Sequence, residues 1–125
     1  MSVEADLVAS LIANATLKTA MGGTVRLEPA PLRHAQTLPA ITWMTITRIF
    51  EQAVNRTVQG KLTHFQFDVW DDDAVGAEAV SAALQTALLA FTTSAHSLSL
   101  MGEYDVPEPD DTGINHRALI AAILT

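Results

Sequence analysis

The chain contains no cysteine, and between residues 62 and 116 it contains no lysine or arginine. The first absence excludes disulfide frameworks, thiol nucleophiles and cysteine-based metal sites, and it fits a reducing compartment without requiring one. The second leaves ten acids without a neighbouring cation in sequence: Asp68, Asp71, Asp72, Asp73, Glu78, Glu103, Asp105, Glu108, Asp110 and Asp111. Residues 1–61 carry six Lys and Arg against four acids, so the formal net charge of −7 conceals a polarity along the chain. Such a balance argues against a protein that grips phosphates, because nucleic-acid affinity rests on Lys and Arg neutralising them. It does not argue against one that surrounds DNA without holding it. The simplest use of the acidic stretch is a solvated face that aids solubility.

Other signatures are missing too. No apolar run reaches the ~18 residues of a membrane span, so no membrane partner is expected. The opening Met-Ser-Val-Glu-Ala-Asp lacks the basic region of a Sec signal. Gly22-Gly23 does not have the spacing of a phosphate loop and reads as a helix end. No Gly-x-Ser-x-Gly elbow occurs. His34, His64, His96 and His116 are scattered, without a His-x-x-x-His or His-Glu pair.

What is present is a chain of 125 residues, 49% apolar and only 17% charged. That length predicts a single domain, residues 1–125, with a real core. The charged fraction is low for a monomer that must solvate its whole surface. Its organising stretch is Phe65 to Phe91. Thr63, Phe65, Phe67 and Val69 fall on one face at period two, with His64, Gln66 and Asp68 on the other, which predicts a strand. The period then changes, and Val80, Ala83, Leu84, Ala87, Leu88 and Phe91 form a helical stripe. Asp71 to Asp73 sit at the junction, where aspartate caps free N–H groups and reads as a solvated turn.

The flanks are read by the same rules. Ala5 to about Met21 is helical, with Leu7, Val8, Leu11 and Ile12 in one stripe and Asn14 as an interruption. Thr24–Leu27 is a short strand. Pro29, Pro31 and Pro39 make residues 28–39 a surface connection or edge segment. Ala40–Arg48 is a β-branched strand with Ile41 and Trp43 on one face and Met44 and Ile46 on the other. Phe50–Lys61 is a polar excursion, too long for an ordinary hairpin loop, and reads as a mobile tip or a partner-binding arm. Leu98, Leu100 and Tyr104 alternate with Ser99, Met101 and Glu103 as a half-buried strand. Residues 106–113 form a proline-bearing loop, and Ile114–Leu124 is the last strand, its apolar run Ala118–Leu124 expected to be covered on both faces. The expected fold class is α+β, a mainly antiparallel sheet of about four to five strands with helices packed on one face.

Two constellations bear on chemistry. His64 and Asp68 share a strand face and, with Asp71 or Asp72 and His116, could ligate a divalent first-row ion, although nothing in the spacing requires a metal. This is the basis of one alternative, a small metal- or ligand-binding α+β enzyme. The back of the helix holds Val75, Glu78, Ala82, Gln85, Thr86 and Leu89, where a solvent-facing helix normally carries several charges. An alanine-rich surface is the bland reading. An intersubunit contact is the sharper one, since burying Val75 and Leu89 would contribute about 1.5–3 kcal/mol each.

Four passages also carry a family likeness: Met21-Gly-Gly-Thr-Val-Arg-Leu27, Leu38-Pro-Ala-Ile-Thr-Trp43, Phe65–Phe91, and Tyr104-Asp through Asp111-Thr-Gly-Ile-Asn-His-Arg117. Their order and spacing resemble the tail-terminator (tail-completion) proteins of long-tailed phages and phage-like particles. The resemblance implies a non-enzymatic ring, usually a hexamer, with no catalytic residues, cofactor or metal. Such a ring caps the tail tube, stops its polymerisation and joins the tail to the head. Its implied partners are other copies of itself, the tail tube protein and a head-completion or neck protein, with DNA passing through the lumen without specific binding. Its implied place is the virion tail or neck, after assembly in the host cytoplasm. By similarity the 50–61 excursion, with Asn55, Arg56, Gln59 and Lys61, is an arm onto a neighbour or the tube, and Val75, Glu78, Gln85 and Leu89 form the helical contact. A different neck or minor tail protein of similar build is the nearer alternative.

Overall fold

The computed structural model describes residues 3–32, 37–52, 58–91, 97–107 and 113–125, excepting the side chains of 51, 52, 58, 59 and 97. Two helices open the chain, α1 (Val3–Ala13) and α2 (Ala15–Ala20). Asn14 separates them because its side chain accepts a hydrogen bond from the Leu17 amide at 3.0 Å, which starts a new helix. Gly22 and Gly23 end it at φ +83° and +110°, with the Gly23 amide donating to the Lys18 carbonyl at 2.8 Å. The α1 stripe is narrower than expected: Val3, Leu7 and Leu11 are buried, while Ile12 is exposed.

The strands are β1 (Leu27–Pro29), β2 (Ala40–Gln52), β3 (Val58–Asp71), β4 (Ser97–Val106) and β5 (Asn115–Leu124), with α3 (Ala74–Leu89) between β3 and β4. They lie in the order β1-β2-β3-β5-β4. Only the β1–β2 pair is parallel; every other neighbouring pair is antiparallel. The fold is α+β, and the helices pack on one sheet face. β1 starts later than Thr24 and ends at Pro29, which a short edge strand tolerates because an outward-facing position needs no N–H donor.

The core forms where the period-two and period-3.6 stripes meet. Phe65, Phe67 and Val69 from β3 and Leu119, Ala121 and Ile123 from β5 face Val80, Leu84, Ala87 and Leu88 of α3. Ile41 and Trp43 extend this face across β2, and α1 and α2 complete it with Leu7, Leu11, Leu17 and Met21. Arg26 ties the entry to the sheet, donating to the carbonyls of Pro39 at 2.8 Å and Met21 at 3.2 Å.

Three expectations are corrected. First, residues 50–61 are not one long excursion, since β2 runs to Gln52 and β3 begins at Val58, the two strands pairing out to their ends. Backbone pairing continues there although the side chains are polar. Second, β4 does not keep one alternation. A bulge between Leu100 and Gly102 shifts the register by one residue, leaving Leu98 and Leu100 on the helix side but turning Tyr104 to the other face. Third, β5 lies inside the sheet but, among the described residues, helices cover only one of its faces. Ala118 and Ala122 are nonetheless buried on the other face, while Leu124 is exposed there.

Candidate functional site

Four regions of the fold were expected to matter: the metal constellation, the helix back, the arm and the acidic stretch. The metal constellation assembles only in part, as the pair Asp68 and His116. His64 Nδ1 lies 2.9 Å from the Thr47 hydroxyl across the β2–β3 pair. Asp68 is buried on the open sheet face, where it accepts from His116 Nε2 at 2.6 Å and from Gln66 Nε2 at 3.0 Å. The Trp70 ring stacks on His116 at 3.7 Å and donates through Nε1 to Thr42 Oγ1 at 3.0 Å. This network occupies the acceptors a metal would need. Asp71 lies one residue out of phase, on the helix side of the sheet. Among the described residues, no group of three or more His, Asp or Glu is placed to hold a metal ion.

Asp71 corrects the picture of a solvated aspartate turn. Pairing of β3 with β5 continues to Asp71 opposite Asn115, so its side chain is buried under the start of α3. A Cβ on Gly76 would overlap the Asp71 carboxylate, so glycine there makes room for it. Its Oδ1 accepts from the Asp72 amide at 2.8 Å. Burial pushes the Asp71 carboxyl above its ordinary value, and the neighbouring Asp72 adds to the shift. Asp72 and Asp73 are exposed, and Asp73 caps α3 by accepting from the Val75 amide at 3.3 Å.

The back of α3 is open. Val75 is 73% exposed and Leu89 59%, with Glu78, Ala79, Ala82 and Thr86 exposed between them. Gln85 sits on its flank and donates to Glu103 at 2.8 Å, beside a shorter hydrogen bond from Ser81 to the same carboxylate. The β4 bulge brings Glu103 to this side. Arg117 of β5 meets Glu103 at 3.6 Å and Asp105 at 3.2 Å. An open bowl of about 500 Å³ lies alongside, lined by Ala74, Ala77, Val106, Ile114, His116 and Arg117. Its cation is already engaged by two carboxylates, so it is not built to capture an anion.

Of the expected arm, Asn55 and Arg56 lie outside the described residues, and Gln59 is placed only as strand backbone. Lys61 pairs with Phe50 across the hairpin and exchanges backbone hydrogen bonds with Thr125 at 2.9 and 3.1 Å. Near this end Ile49 and Phe50 are both more than half exposed. A further apolar surface, whose extent sequence reasoning did not reach, is the sheet face that among the described residues carries no helix. It carries Met44, Ile49, Tyr104 and Leu124, all exposed. The apolar residues on both faces of β2 were its only signal.

The helix back and the open sheet face thus both expose apolar side chains. Comparison with solved structures finds a likeness in shape. The chain superposes on a chain of the virion of a native gene transfer agent particle with a TM-score of 0.64 and 19% identity. The match covers 98% of this chain and 92% of the other. The two share a fold. No family profile matches the sequence, and no curated protein matches it.

Proposed function

We propose that this chain is a structural ring protein of a phage-type tail, one that caps the tail tube, ends its polymerisation and forms the joint to the head or neck. The observation that carries the reading is the shared fold with a gene transfer agent virion chain over nearly the full length of both. The exposed helix back and the open sheet face support it, because a ring must bury surfaces that a monomer leaves wet. Val75, Glu78, Gln85 and Leu89 then belong to subunit contacts. Asn55, Arg56, Gln59 and Lys61 belong to a contact with a neighbour or the tube protein. DNA passes through the lumen without specific binding, and the acidic total is suited to that because it repels phosphates. The role needs no catalysis.

Removal of the chain from particle-producing cells tests this. Tubes of uncontrolled length lacking heads are expected. Tubes of normal length that fail to join heads would instead assign the chain to a different neck position. Normal, fully joined particles would rule out both. A divalent chelator is expected to leave the melting temperature unchanged; a chelator-sensitive melt abolished by His64→Ala would favour a metal-binding protein.

A further inference from the structure

The sheet has two unfilled edges, and they match. Among the described residues, β4 is hydrogen-bonded to another strand only on its β5 side. β1 covers β2 only from Ile41 to Trp43, and among the described residues nothing pairs with that side of β2 from Met44 to Gln52. Exposed edges of this kind template further strands unless something blocks them.

Directions come next. From β2 through β3 and β5 to β4 every pairing is antiparallel, so β2 and β4 run in opposite senses. A second copy in the same orientation therefore presents its β2 antiparallel to the first copy's β4, and the sheet continues without a break in pattern. Such a contact is head-to-tail, the kind that closes into rings.

Side chains select this joint over the symmetric ones. On the helix-covered face, the β4 edge carries Glu103 and Asp105, and the β2 edge carries Arg48. Asp105 is 81% exposed, and Arg48, held to Glu4 of α1 at 3.4 Å, remains half exposed. In the register that sets Asp105 opposite Arg48, Tyr104 of β4 lies beside Ile49 of β2 on the open face, both exposed and apolar. Two β4 edges together would oppose four carboxylates, and two β2 edges would oppose two guanidiniums, both unfavourable. The bulges at Met101 and Ile46 twist each edge and restrict it to a partner of matching shape.

We propose that the free edge of β4 pairs antiparallel with the Met44–Gln52 edge of β2 in a second copy of this chain, joining subunits into one continuous sheet. The proposal deepens the ring reading above and rests on it only in needing self-assembly.

The absence of cysteine allows a direct test. Within one copy, β2 and β4 are three strand spacings apart, about 14 Å, beyond the ~7 Å Cα separation a disulfide can bridge. Tyr104→Cys is combined in the full chain with Met44→Cys, Ile46→Cys or Ile49→Cys, and each protein is mildly oxidised. At least one combination is expected to give a ladder of linked copies on a denaturing gel, while each single-cysteine chain stays unlinked. No ladder from a protein that still assembles by native mass overturns the edge joint and leaves the ring reading standing. Linked dimers from Tyr104→Cys alone indicate a β4–β4 contact and overturn it equally. A chain that remains monomeric at high concentration overturns both readings. Independently, Asp105→Lys is expected to weaken self-association about tenfold, with Arg48→Glu in the same chain restoring it; an unchanged association in Asp105→Lys counts against the joint.

Discussion

Asp71 and Asp72 are neighbours of the same type, yet one is buried and the other exposed. The difference lies in strand pairing, which extends one residue further than the composition of the turn indicates, and in Gly76, whose missing side chain admits the carboxylate. Because the folded state raises its pKa, Asp71 weakens the fold at neutral pH, where it must ionise while buried. That penalty lifts as pH falls through the raised value toward the ordinary carboxylate value. Asp71→Asn keeps the acceptor for the Asp72 amide and removes the titration, so its advantage over the parent should be larger at pH 7 than at pH 4. Urea titrations at both values measure this, and parallel stabilities would contradict it. Thr63 gives a second prediction. Its hydroxyl is buried on the core face and has no hydrogen-bond partner among the described residues, so Thr63→Val should stabilise the protein by about 1 kcal/mol, seen as a higher urea midpoint at unchanged slope.

At the scale of elements, α3 and β3 follow their periodicities closely. The stripe from Val80 to Leu88 is buried against Phe65, Phe67 and Val69 because both patterns put their apolar residues on one side. β4 departs from its pattern because a bulge adds one residue without altering composition, and every later side chain changes face. No residue type marks that event, although Gly102 beside it is a weak hint. The solvent side of α3 is where stability and assembly separate. Leu89→Glu lies on an exposed position, so stability should change by no more than about 0.5 kcal/mol, while native mass should fall. Circular dichroism beside native mass spectrometry distinguishes the two, and an undiminished oligomer would remove Leu89 from the contact. Phe50→Ser near the hairpin end should likewise spare folding while reducing binding to tube protein in a pull-down.

Across the whole molecule, the proposed joint sets Arg48 of β2 against Glu103 and Asp105 of β4 in a second copy. On that proposal, part of the attraction between copies is electrostatic. Raising sodium chloride from about 0.1 M to about 1 M shortens the screening length from about 10 Å to about 3 Å, and should shift assembled protein toward monomer in sedimentation velocity. Assembly that strengthens monotonically with salt would mean apolar burial alone drives it.

The α+β class, the order of elements, the Asn14 and Gly22-Gly23 boundaries, the core stripes of β3 and α3 and the Asp73 cap were all legible in the residues. Each depends on neighbours within a few positions, where periodicity and capping chemistry act. Strand order, the β4 bulge and the burial of Asp71 were not, because they depend on which distant strand lies alongside, and the residues gave Asp68 and His116 only as members of a looser metal-ligand set. His116 and Asp68 are 48 residues apart, and only the register of β5 on β3 makes them partners. The two open edges arise in the same way. A strand reads alike whether central or terminal, and its place in the sheet is decided by the packing of the whole chain.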